Sequence, residues 1–174
     1  MFGATRFDQR VPSIRRHSGY RNEQTADGAR LAVCKRVERQ LACRYESVPQ
    51  ARRVVAETLD EWGAVGDDPA RRLVDDVLLV ATELIANAVR ACYKRIVLVL
   101  EVHREWVEVA VSDDSPYPAV ERHVEPDATG GRGVAIVAAL SNQWGQTSFD
   151  GSSKVVWSRL HLPHGSVIAA GCHL

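Results

Sequence analysis

Glu83, Asn87 and Arg90 interrupt an otherwise apolar stretch, ATELIANAVRAC at residues 81–92. Steps of four and three residues place a carboxylate, an amide and a guanidinium on one helical stripe. The apolar set Val77, Val80, Ala81, Leu84, Ile85, Ala88 and Cys92 falls on the opposite side. Such a stripe can face a polar ligand, and a solvated surface would carry the same residues. A second position narrows the chemistry. In VEVAVSDDSPYP, Val107, Val109 and Val111 alternate along a strand, and Asp113 shares their inward parity whereas Asp114 points outward. An inward carboxylate is costly unless something donates hydrogen bonds to it. An amine on a ligand, such as the exocyclic amino group of adenine, would do so, and a turn ahead of Pro116 would do so equally well. The third position is TGGRGVAIVAAL, residues 129–140, where Gly130, Gly131 and Gly133 precede an apolar helical run. Backbone N–H groups there can approach an anion at a helix N-terminus, with the Arg132 charge beside them. The loop is neither a Walker A, since no G-K-[ST] follows, nor a dinucleotide-binding G-x-G-x-x-G.

Helices and strands in blocks must position these residues. A strand is expected within 29–46, in RQLACRYES. Ser47 and Gln50 form an S-x-x-Q capping box that opens a helix over 48–62, stopped by Gly63. Asp67 or Asp68 caps the next helix, with Pro69 in its first turn, and this helix runs to about residue 92. RIVLVLEV (95–102) and EWVEVAVSD (105–113) read as strands joined by a tight turn at His103–Arg104. Residues 114–132 are irregular, a short helix follows over 133–140, and two strands lie near 143–149 and 153–162. The pattern predicts an α+β fold, a mixed and mostly antiparallel sheet covered on one face by helices.

The chain of 174 residues is long enough for one domain with a core, and its formal net charge of zero gives no electrostatic pull toward nucleic acid or membrane. Residues 1–28 are polar and mildly basic, and are expected to form a mobile arm; 29–165 form the domain and 166–174 a tail. No apolar run is long enough to cross a bilayer, and the N-terminus lacks the apolar core of a secretory signal, so the expected location is cytoplasmic. Cys34, Cys43, Cys92 and Cys172 are scattered without metal-ligand spacing, and Cys92 reads as a small core residue.

Taken in this order and spacing, the three motifs resemble those of the Bergerat-fold, or GHKL, ATP-binding superfamily, which includes gyrase and the sensor histidine kinases. ELIANAVR is similar to its N box, VSDDSPYP to its first glycine box and GGRGVAIVAALSNQWG to its second. The ending KVVWSRL and the short lid resemble the anti-sigma-factor serine/threonine kinases abundant in actinobacteria. The resemblance implies a two-layer α/β sandwich that binds ATP and Mg²⁺. It implies that Asn87 ligates Mg²⁺, that Glu83 acts as general base, and that Arg90 approaches phosphate. Asp113 would accept from adenine, and Ser115, Gly130, Gly131, Arg132, Gly133 and Ser153 would line the nucleotide. The implied partners are a sigma factor and an antagonist protein, with the chain as a homodimer and no direct contact to nucleic acid. The alternative is a catalytically weak member that regulates by sequestering its partner. The chain departs from the pattern at Ser115 and Tyr117, where the first glycine box carries glycines, and at Val155, where relatives often carry Thr.

Overall fold

The computed structural model describes residues 33–64, 66, 68–117, 133–149, 152–170 and 172. Residues 1–30 and 31–174 make two units, and the first, with the arm expected at 1–28, lies outside the described residues. In the second, the chain runs β1 (Lys35–Ala42), α1 (Ser47–Glu61), α2 (Asp68–Ala91), β2 (Arg95–Val102), β3 (Trp106–Asp113), α3 (Gly133–Leu140), β4 (Gln143–Phe149) and β5 (Ser153–His161). A short 3-10 turn follows at Val167–Ala169.

The strands form one sheet in the order β1-β2-β3-β5-β4. A mixed and mostly antiparallel sheet was the expectation, and every pairing among the described residues is antiparallel. The two hairpins, β2–β3 and β4–β5, have connections too short to permit a parallel return. Alternation sorts the side chains into two faces. Ile96, Leu98, Leu100, Val102, Val107, Val109, Val111, Val156 and Leu160 share one face and join a core with Leu73, Val77, Val80, Ala81, Leu84, Ile85 and Ala88 of α2. Helices thus cover this face in an α+β, two-layer arrangement.

Local signals explain most boundaries. Gly63, at φ +83°, ends α1 in a conformation that other residues adopt only with strain. Asp68 and Pro69 open α2 as their types favour. The capping box at Ser47 does not form. The helix begins at Ser47 itself, Glu46 is the cap residue, and the Ser47 hydroxyl donates to the Ala42 carbonyl at 2.7 Å, tying the helix start to the end of β1. The cysteines also differ from expectation, for Cys43 bonds to Cys92 and Cys34 to Cys172. Cys92 is therefore a cross-link from the end of α2 to the end of β1, not simply a small core residue. Near the C-terminus, Ile168 is buried in the core and Cys172 is held by its disulfide. Among the described residues, no helix is long and apolar enough to cross a membrane.

Candidate functional site

The helical stripe turns toward the sheet and α3, but unevenly. Glu83 and Asn87 are half-buried, while Arg90, in the last turn, is exposed. Glu83, Asn87 and Gly133 meet around one small cavity with Leu84, Val134, Val137, Trp144 and Val156. A Cβ on Gly133 would stand 2.6 Å from Glu83 Oε2, so a larger residue there would displace the end of the Glu83 side chain. The absence of a side chain lets the first residue of α3 sit directly against the carboxylate. Arg90 does not line this cavity. Gly130, Gly131 and Arg132 lie outside the described residues.

Asp113 points to the helical side as its parity requires, opposite Ile96 on β2, and its side chain is 1% exposed. Its Oδ1 accepts from the Ser115 backbone N–H at 2.9 Å, so the turn alternative is realised at this atom. Ser115 is itself buried, and its Oγ accepts from the Tyr117 N–H. Asp114 is more than a solvent-facing residue. It is half-buried, and its Oδ1 accepts from the Tyr93 N–H at 2.8 Å, closing the turn after α2.

Lys154 was missed by the sequence reading. It stands directly across from Asp113 in the β3–β5 ladder, and its Nζ donates to Asp113 Oδ1 at 2.7 Å. Its side chain is 1% exposed. Ser153, expected beside the base, has the opposite parity in β5, so the pleat directs it away from the face that holds Asp113. Val155 pairs with Ser112 and also lies on the other face. The alternation of KVVW was visible in the sequence, but which of its residues meets Asp113 depends on a register between strands 41 residues apart. Burial raises the Asp113 pKa, Lys154 and the Ser115 N–H oppose it, and nearby Asp114 adds to it; the net shift is upward.

The opposite face of the sheet carries a second charged group. Glu101 and Glu108 stand opposite each other, flanked by Arg36 on β1 and Arg159 on β5. Arg36 pairs with Glu101, and Arg159 Nε donates to Glu108 Oε2 at 2.7 Å. Arg159 also lies over the Trp106 and Trp157 rings. A larger cleft lined by Arg104, Glu105, His161 and His164 gathers none of the motif residues.

Glu83 and Asn87 are of types that could serve a bound magnesium ion and its nucleotide. Mg²⁺ takes few protein oxygens and completes its shell with phosphates and water, so one amide oxygen from Asn87 suffices. No group of three or more His, Cys, Asp or Glu able to hold a metal occurs among the described residues. Asp113, buried and acceptor-rich, fits the amine of a base.

The comparison with curated proteins gave no match. The family model described as histidine kinase-like ATPase domain matches residues 41–159, a span that begins at the end of β1 and takes in α1, α2, α3, Asp113 and Lys154. With two thirds of its length inside that match, the chain belongs to the histidine kinase-like ATPase domain family, whose members bind ATP.

Proposed function

We propose that the protein is an anti-sigma factor with serine/threonine kinase activity toward an antagonist protein, acting in the cytoplasm as a homodimer. The observation that carries this reading is the convergence of Glu83, Asn87 and Gly133 on one cavity. Asn87 would ligate Mg²⁺ through its amide oxygen. Glu83, one turn away, would accept the proton of the attacking Ser or Thr hydroxyl. Asp113 would accept from the adenine amine, and Arg90 would approach phosphate once the ligand is in place. Bound Mg-ATP supplies the phosphoryl group, while the protein supplies position and a proton acceptor.

The test is transfer of labelled phosphate from ATP to a cognate antagonist, with nucleotide affinity measured separately. Glu83→Gln should keep affinity and lose about 10²–10⁴-fold in transfer, the usual range for a general base. Asn87→Ala should lose binding and transfer together. Transfer at the wild-type rate by Glu83→Gln would remove the general-base role. The second reading, a partner-binding module with weak catalysis, is favoured by Ser115 and Val155, where the chain departs from the family's pattern. A wild type that holds its partner and transfers no phosphate would establish it.

A further inference from the structure

Asp113 offers the site a carboxylate, and a carboxylate has about four acceptor positions on two oxygens. Lys154 Nζ and the Ser115 N–H both use Oδ1. Neither contact uses Oδ2. From this arrangement we infer that Lys154 is a positioning residue: its ammonium holds Asp113 ionised and oriented through Oδ1, leaving Oδ2 to receive the amine of the base. The inference rests on the proposed nucleotide site and specifies how its buried acceptor is kept in working form.

The physical need is plain. A carboxyl group buried to this degree is driven toward its protonated form, and a protonated oxygen is a donor where the base requires an acceptor. The upward shift of Asp113 persists even with Lys154 in place. Without that ammonium, burial and the neighbouring Asp114 would act against only the Ser115 N–H. Among the other charged groups on the elements packed against β3, Arg95 of β2 is nearest in the ladder, next to the residue opposite Asp113, and Glu83 and Arg90 lie in the second half of α2. Asp68, Arg71, Arg72, Asp75 and Asp76 lie in the first half of α2, whereas Glu101 of β2 and Arg159 and His161 of β5 have the opposite parity and lie on the other face of the sheet; α3 carries no titratable residue. Lys154 is also fixed in place, since it stands across the ladder from Asp113 and cannot leave without abandoning a buried ion pair.

Calorimetric titration of the full chain with Mg-ATP from pH 6 to pH 9 tests the inference. Wild type should bind with nearly constant affinity across this range. Lys154→Met should lose at least about tenfold at pH 6–7 and recover as pH rises, by up to tenfold per unit while Asp113 ionises. Lys154→Arg, which restores a cation, should return the flat profile. A Lys154→Met profile that parallels wild type overturns the inference, and so does tighter binding by that variant, which would make the pair a block. If Lys154→Met alone does not fold, Asp113→Asn is compared with Asp113→Asn/Lys154→Met, where no carboxylate remains to be held. A residue acting through Asp113 should then change affinity by less than about threefold; a further tenfold loss would mean that Lys154 touches the ligand itself. Wild type that binds no Mg-ATP removes the functional reading together with this inference, whereas normal wild-type binding with an unaltered Lys154→Met profile overturns the inference alone.

Discussion

β3 and β5 hold two buried ion pairs, Glu108 with Arg159 and Asp113 with Lys154, directly across the same antiparallel ladder. Both join a carboxylate to a cation at 2.7 Å. Their positions differ by an odd number of residues, so the pleat sends them to opposite faces. The first lies mid-strand in a row that crosses every strand: Arg36, Glu101, Glu108, Arg159 and Gln143. Arg159 there reaches Gln143 as well as Glu108, and stacks on two tryptophans. The second lies at the strand's end, on the helical face, where the chain leaves the sheet and the neighbouring Asp114 meets the turn after α2. The same chemistry thus serves cohesion in one place and can serve a ligand in the other. What separates them is parity and distance from the strand end, not residue type.

Removing Arg159 should give the largest effect on stability and none on the site. A buried carboxylate that loses its cation costs about 3–5 kcal/mol, and Glu108 Oε1 already lacks a hydrogen-bond partner among the described residues. Arg159→Met should therefore lower unfolding free energy by that order in urea titration. Mg-ATP affinity of the folded protein should stay within about twofold of wild type, well under the tenfold that 1.4 kcal/mol represents. A parallel loss of affinity would mean that the two faces are coupled through the sheet.

The Asp113 end is also stapled covalently. Ala42 pairs with Arg95, next to the residue opposite Asp113, and Cys43 follows it to meet Cys92 at the end of α2. Closing a loop of this size is worth about 2–4 kcal/mol. Cys43→Ser/Cys92→Ser should lose stability of that order, and adding reductant should change the variant less than wild type. Equal losses in reductant would show that this pair contributes nothing.

The contrast between the pairs also marks where the sequence was legible. Alternation in VEVAVSD set the face of Asp113 without a structure, and the four-and-three spacing put Glu83 and Asn87 on one helical stripe without saying what the stripe would face. Both are local signals, carried by periods of 2 and 3.6 residues. Lys154 was not legible, because its meeting with Asp113 depends on long-range register, and one residue of slip would put Val155 or Ser153 there. The disulfides join residues 49 and 138 positions apart, which spacing alone cannot pair. Ser47 carried a genuine capping pattern, but its hydroxyl found the Ala42 carbonyl, a tertiary partner, first. Alternation also does not say whether the second face of a sheet is wet. Glu108 sits at the polar beat of its strand and is nevertheless buried.

A direct comparison of the two carboxylates should show an intermediate effect, in affinity instead of stability. Asp113→Asn presents a donor where the base needs an acceptor, and loss of a buried hydrogen bond to a charged group costs about 1.5–3 kcal/mol. The variant should bind Mg-ATP roughly ten- to hundredfold more weakly. Glu108→Gln should bind like wild type. Equal weakening by both variants would contradict the assignment of Asp113 alone to the nucleotide face.

The smallest effect separates two neighbours within the structural row. Burial raises the Glu108 pKa above its ordinary 4.5, and Arg159 only partly offsets this. Burial also pushes Glu101 upward, but His103 and Arg36 outweigh it and leave the carboxyl below 4.5. The signs of linkage are therefore opposite. Glu108 binds its proton more tightly in the folded state, so its contribution to stability improves as pH falls through its raised pKa and is complete below 4.5. Glu101 holds its proton less tightly when folded, so its contribution is present above 4.5 and is lost as pH falls through its lowered pKa. Urea titrations of Glu108→Gln and Glu101→Gln against wild type across this range should then diverge. The deficit of Glu108→Gln should widen from neutral pH toward 4.5, while that of Glu101→Gln should hold steady there and shrink only in stronger acid. Deficits that move in the same direction would show that one shared charge network, and not two separately paired carboxylates, spans the row.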